Sequence, residues 1–349
     1  MKKHFLFAMP FLLIVACGKF EDDSLNLANK LSENFRNCLL DNGYDTNGNG
    51  KLENSEIESI TYLSFYNIDI ESYDGIENIK NLERFALTQV GSPCNLDLSK
   101  NKKLQEIWIV DSDLAGLMVG NETLIQIEIY RTNIPSIDVS RCPNLIKLIV
   151  CATDITSIDV SMCANLNKLE CFDNSNLTKI KANALTNLEQ LHAHGCPIEE
   201  IDISGCFALY SFSIGARIDI SSQGSQTDRT YGGFVRGNRV LNISSATLKK
   251  INLSGLSFIE EIRITYCMYI NGFMRYYSCP LNSLIIDNCT QIKLLKCTDS
   301  RLSLLDVSTC SILETLDCYS NTYLTELWLK AGQNIAYLNK DLQTQIKYK

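Results

Sequence analysis

The sequence predicts an α/β solenoid: a stack of short coils with a parallel concave sheet and a short helical N-terminal cap. Two spacings predict it. The apolar frame Leu145-x-x-Leu148-x-Val150-x-x-Thr153-x-Ile155 recurs as Leu188-x-x-Leu191-x-Ala193-x-x-Cys196-x-Ile198. It begins again at Leu82, Leu104, Leu124, Leu166, Leu209, Ile259, Ile292 and Leu313, with steps of 20 to 22 residues where the array is uninterrupted. Between frames lie Ile137-Asp-Val-Ser140, Ile158-Asp-Val-Ser161, Ile201-Asp-Ile-Ser204 and Leu305-Asp-Val-Ser308. These alternate apolar and polar as a short extended segment does, and are expected to form the convex return. One coil cannot bury its apolar edge alone, whereas stacked coils share a continuous core. A length of 349 residues also exceeds what one rounded core usually organises.

The frame resembles the leucine-rich-repeat family over roughly residues 60 to 330. The resemblance implies a solenoid over residues 61–330, between a cap at 24–60 and a C-terminal cap or tail at 331–349. Two long steps mark insertions, near 215–250 and 265–283. The first is rich in Ser, Gly and Arg and reads as a protruding loop. The second carries Tyr266, Tyr269, Phe273, Met274, Tyr276 and Tyr277; a patch this aromatic either packs back on the solenoid or binds a partner.

The first residues follow another logic. Lys2 and Lys3 precede the apolar run Phe5 to Ala16, which is too short to span a bilayer and reads as a signal peptide over residues 1–16. The run ends Leu13-Ile-Val-Ala16-Cys17 and resembles the bacterial lipobox, which implies a covalent lipid on Cys17. The alternative is an ordinary signal peptide that happens to contain a Cys. Residues 17–23 would be the lipidated tether. Gly18 in place of Asp, and Lys19 followed by Glu21, Asp22 and Asp23, resemble Gram-negative surface lipoproteins, although Phe20 interrupts the usual spacing. The resemblance implies an outer-membrane protein facing the cell exterior, touching the membrane through its lipid alone.

Fifteen Cys in an exported chain suggest disulfides, but register explains most of them. Cys142, Cys163, Cys206, Cys289 and Cys310 precede the first frame residue by three, where Asn101 and Asn121 stand in other coils. Cys171, Cys297 and Cys318 replace the third apolar residue, and Cys196 and Cys267 take the Asn/Cys position of the frame. A small thiol suits such inward slots. Cys38, Cys94, Cys151 and Cys279 remain, and one cross-link among stacked thiols, or between Cys94 and a neighbour, is compatible with strands about 4.8 Å apart.

Residues Asp45 to Glu56 match the twelve-residue EF-hand loop. Asp45, Asn47, Asn49, Glu53 and Glu56 supply oxygen side chains, Gly50 the turn and Lys51 a carbonyl. Calcium is the implied cofactor, held weakly, in the range of about 0.1–1 mM, because amides replace carboxylates at the third and fifth positions. The bland reading is a turn that joins an incoming amphipathic helix bearing Leu25, Leu31, Phe35 and Leu39 to the first coil. Either way the segment would cap the open end of the solenoid.

No enzyme signature stands out among G-x-S-x-G, H-E-x-x-H or phosphate-loop patterns, and no enzymatic activity is expected. His192 and His194 flank the inward Ala193, so both point to the concave face, as surface contacts or as a metal pair. The outward row on successive coils reads Thr88, Val110, Tyr130, Cys151, Phe172, His194 and Gly215, beside Trp108, Glu128, Ile149, Glu170 and His192. Such an aromatic and apolar stripe has the composition of an interface core. Trp108, Tyr130, Phe172, His192 and His194 are therefore the candidate contacts for a protein or glycan ligand. A net charge of −8 without a dense basic run disfavours nucleic acid. A binding module and a structural accessory subunit of an outer-membrane assembly are the two function classes left.

Overall fold

The computed structural model describes residues 26–91, 94–215, 232–234, 239–270 and 273–349. The predicted signal peptide, Cys17 and the tether lie outside the described residues, as does most of the first insertion. The chain enters through a 3-10 turn, Leu27–Lys30, and helix α1, Glu33–Asp41. The Ser32 hydroxyl caps α1 by accepting from the Phe35 N–H at 3.2 Å. Phe35 and Leu39, one turn apart, are fully buried, and Phe35 meets Phe65 and Tyr73 edge-on at 6.2 and 5.9 Å. Helix α2, Asn54–Ser59, begins inside the Asp45–Glu56 segment and carries its last three residues. Helix is confined to this end among the described residues.

From Tyr62–Tyr66 onward each coil adds one strand to a long concave sheet. Pairing keeps the frame in step, so Leu63, Phe85, Ile107, Ile127, Leu148, Leu169, Leu191 and Phe212 form one buried row. On the opposite side Ser157–Asp159, Lys179–Lys181, Glu200–Asp202, Lys250–Asn252 and Ser283–Ile285 form a second parallel sheet. The expected convex return is thus extended backbone, with Ile158, Ile180, Ile201 and Ile251 aligned inward. The recurring Asp-x-Ser has a local cause. The Asp159 carboxylate accepts from the N–H and hydroxyl of Ser161 at 3.0 and 2.6 Å, and Asp202 with Ser204 and Asp306 with Ser308 repeat the turn.

Two polar ladders run inside the stack. In one, the Asn101 amide donates to the Ile76 and Ile79 carbonyls, while Cys163, Cys206 and Cys289 donate their thiols to Val139, Ala182 and Leu253. A thiol therefore replaces an amide, satisfying a carbonyl of the preceding coil. In the other, Asn174 donates to Val150 and Cys171 while its carbonyl accepts from the N–H and hydroxyl of Thr153. The thirteen cysteines whose side chains are described are free thiols; burial pushes Cys206 and Cys310 up to about 12 and Cys171 and Cys297 far upward.

Seven successive coils leave the concave strand through a left-handed residue: Asn67, Gln89, Asp111, Arg131, Ala152 and Asp173 at φ 50–57°, then Gly195 at 74°. The N–H groups of Asn67, Gln89, Asp111, Ala152 and Asp173 each donate to a carbonyl of the next coil, which holds this conformation against its steric cost.

Three features depart from simple repetition. Gly232–Phe234, from the first insertion, enters the concave sheet antiparallel between Ser211–Gly215 and Val240–Ser244. On the convex side Glu200–Asp202 pairs directly with Lys250–Asn252. The concave face therefore has two more strands here, about 10 Å of extra width at about 4.8 Å each, which relaxes the curvature locally. In the second insertion, Glu261–Ile270 runs past the sheet and returns antiparallel as Phe273–Tyr277. The sequence signal for this hairpin is Asn271-Gly272 between two apolar runs, the pair most typical of tight hairpins. Residues 331–349, expected as a cap or tail, supply a further coil: Tyr337–Asn339 pairs with Thr315–Asp317, and Gln345–Tyr348 with Glu326–Leu329.

Candidate functional site

The concave strands alternate inward and outward residues, and register sets the outward ones side by side. Trp108, Glu128, Ile149, Glu170, His192 and Ser213 are successive cross-strand partners, as are Val110, Tyr130 and Cys151. Phe172 and His194 stack with ring centroids 4.9 Å apart and planes 4° from parallel, the spacing of adjacent strands. Trp108, Tyr130, Phe172, His192 and His194 are all half-buried. The row is not uniformly open. Cys151 and Ile149 are 1% and 2% exposed: the small Cys151 lies beside the larger Tyr130, and Ile149 lies between the longer side chains of Glu128 and Glu170.

The polar side chains between the rings are mutually engaged. Glu128 accepts from Lys147 and Gln126 at 2.5 and 2.7 Å, and from the Tyr130 hydroxyl at 3.4 Å. Burial, then the Glu128 charge, pushes the Tyr130 phenol up to about 12. Glu170 holds Lys168 at 2.9 Å and lies 3.4 Å from His192 Nδ1, while His192 Nε2 lies 2.8 Å from the Ser211 hydroxyl. The outward row read from spacing sets Glu170 next to His192, and the structure pairs them: Glu170 is its direct cross-strand partner, 22 positions earlier in the chain. At the rim Arg131 makes a two-bond ion pair with Asp111 at 2.5 and 2.8 Å, and this holds the Asp111 carboxyl below its usual range.

The Asp45–Glu56 loop is closed by its own groups. Asp45 accepts from the N–H groups of Gly48, Asn49 and Gly50 at 2.7–3.2 Å. Glu56, 5% exposed, accepts from Thr46 and Asn47 through one oxygen and from the Glu53 N–H through the other. The Glu53 N–H is the main cause of its lowered pKa. Glu53 takes the side-chain amides of Asn47 and Asn49, and Asn49 accepts from the Lys51 N–H. The oxygen donors suit a hard cation by type. In this arrangement they bind the loop's own N–H groups, and no group of three or more His, Cys, Asp or Glu is gathered for a metal among the described residues.

No family model matches the chain, and no curated protein matches it. Among solved structures, it is similar to the functional domain of InlJ from Listeria monocytogenes, described as including a cysteine ladder. That match has 18% identity, covers 92% of this chain and 76% of the other, and has a TM-score of 0.45. It is also similar to the internalin InlF of the same organism, at 14% identity, 91% and 89% coverage and a TM-score of 0.36. A leucine-rich-repeat protein of Leptospira interrogans matches at 13% identity, 89% and 98% coverage and a TM-score of 0.34. These scores are low, so the assignment rests on this chain's own register, in which frame residues pair coil to coil and the polar positions form ladders. The fold is a leucine-rich-repeat solenoid. Its concave sheet carries the candidate contacts and its N-terminal helices cover the first coil.

Proposed function

We propose that this leucine-rich-repeat solenoid is a binding module that takes a protein or glycan ligand on its concave face, between Glu106–Val110 and Gln190–His194. The observation that supports this reading most is the stacked Phe172–His194 pair beside half-buried Tyr130 and Trp108. Rings already held by stacking lose little rotamer freedom on binding, which is how aromatic anchors come to dominate interfaces. We place it on the outer-membrane surface through a lipid on Cys17, because the apolar run ends at a lipobox-like Cys. Weak calcium binding at Asp45, Asn47, Asn49, Lys51, Glu53 and Glu56 belongs to the same proposal and would firm the cap once Glu56 exchanges its loop contacts for the ion.

Photo-crosslinking on intact cells tests the surface. Probes at Tyr130 and Phe172 are expected to capture a common partner that probes at the convex Asp138 and Asp159 do not; equal capture from both faces rejects the reading. Radiolabelled palmitate is expected to enter the parent and not Cys17→Ala. Calorimetry with millimolar calcium is expected to raise the melting temperature of the parent and not of Glu56→Gln.

A further inference from the structure

The hydrogen-bonded chain Ser211–His192–Glu170 crosses three adjacent concave strands. Ser211 Oγ lies 2.8 Å from His192 Nε2, within the range needed for proton transfer. His192 Nδ1, on the other side of the ring, lies 3.4 Å from Glu170 Oε1. That order of hydroxyl, imidazole and carboxylate is the arrangement that activates a serine, and it is recognised by geometry, not by sequence position. His192 has a hydroxyl and a carboxylate on opposite ring nitrogens, the order a general base requires. We infer that Ser211, His192 and Glu170 form an ester-hydrolysing site on the concave face. This stands on the three residues alone and goes beyond the binding reading.

The roles follow from the contacts. Ser211 Oγ attacks the acyl carbon and its proton passes to His192 Nε2 as the new C–O bond forms. The bond to the alcohol oxygen then breaks, and His192 gives that oxygen the proton. Water attacks the acyl-serine and loses a proton to His192, which returns it to Ser211 Oγ as the acid leaves. Ester and water become acid and alcohol, with no outside electron source. Glu170 is a positioning residue: it holds the Nδ1 proton toward itself and so leaves Nε2 as the base. Lys168 shares the same Glu170 oxygen at 2.9 Å, which fixes the carboxylate and weakens its pull on the imidazolium.

Gln190, the direct cross-strand partner of Ser211, carries two N–H donors, of which one goes to the Tyr210 hydroxyl at 2.6 Å. Its amide is the nearest side-chain donor along the strand pairing to take the role of oxyanion donor. The site lies on the open face of a sheet, with His192 and Glu170 side chains 25% and 17% exposed. Such a face supports the acyl group from one side only, so the substrate class is a short acyl ester, acetyl-sized, of an alcohol of any bulk.

Purified protein tests this with p-nitrophenyl acetate and an alkyl fluorophosphonate. We expect the fluorophosphonate to label Ser211, and labelling to vanish in Ser211→Ala and His192→Gln. Turnover should fall about 100-fold in Ser211→Ala, in the range a positioned base and nucleophile contribute, and stay unchanged in Ser157→Ala on the convex face. Glu170→Gln should lower kcat while leaving KM near the parent value, as expected when a group that orients the base is lost without touching the substrate. Circular dichroism identical to the parent keeps these variants interpretable. Turnover that survives Ser211→Ala, or a label that lands elsewhere or is unaffected by His192→Gln, overturns the inference.

Discussion

Replacing Ala152 by glycine is expected to stabilise the protein, although it removes a side chain. Ala152 sits at φ 53°, exposed, where the chain leaves its concave strand, and its N–H donates to the Phe172 carbonyl at 3.1 Å. An L-residue in this region costs about 1–2 kcal/mol. Glycine relieves that strain but gains freedom in the unfolded chain worth about 0.4–1 kcal/mol. The balance is about 1 kcal/mol in favour of Ala152→Gly, because no packing is lost and the hydrogen bond is kept. The converse substitution is Gly195→Ala, at φ 74° two coils further along the same corner. Its new Cβ would lie 2.3 Å from Asp173 Oδ1 and 3.2 Å from the Asp173 backbone nitrogen, adding a clash to the strain. A loss of about 2 kcal/mol follows. Urea unfolding by circular dichroism, with hydrogen exchange on the flanking coils because long arrays need not melt as one unit, measures both. A lower midpoint for Ala152→Gly, or no change for Gly195→Ala, would refute the claim that these corners are strained.

Asn174→Ala should cost about 2–3 kcal/mol, since it removes the side chain that accepts from the buried Thr153 N–H and hydroxyl and donates to the Val150 carbonyl, while the Cys171 carbonyl keeps the Cys196 thiol. Asn174→Cys should cost less, because Cys196 already serves the next coil by donating to the Cys171 carbonyl at 2.9 Å; equal losses in thermal melts would contradict that equivalence. Iodoacetamide at about pH 8, near the ordinary thiol pKa, should modify, among the described cysteines of the native protein, only Cys38 and Cys94, and those slowly because burial raises both thiols. Early modification of Cys171 or Cys206 by mass spectrometry would count against the closed ladder. Glu56 has a lowered folded pKa, so its support for the cap is complete above the ordinary carboxylate value of about 4.3 and is lost as pH falls through the lower folded value. Hydrogen exchange over residues 33–59 should show that acid loss in the parent, and Glu56→Gln should abolish it.

Repetition made the coil stack legible in the sequence. A frame of 20 to 22 residues specifies which side chains point inward in every coil, and neighbouring coils need nothing more to align. That is why the inward cysteines, the extended convex return and the outward positions of Trp108, Tyr130, Phe172 and His194 are all readable from spacing. The frame is harder to see where one member is polar, as at Asn238 before Leu241 and Ile243, although that coil still adds the strand Val240–Ser244 to the sheet.

What the tertiary structure alone decided are the relations between coils that do not depend on the period. Cys151 and Ile149 occupy outward slots yet are buried, since exposure depends on the bulk of neighbours one coil away. The strand Gly232–Phe234 widens one face only, an outcome of where an insertion happens to pair. His192 meets Ser211 on the diagonal although its direct cross-strand partner is Ser213, a choice between two hydroxyls that register leaves open. A repeat pattern determines which way each side chain faces. Which side chains touch across the coils is settled by size and hydrogen bonding, which the period does not encode.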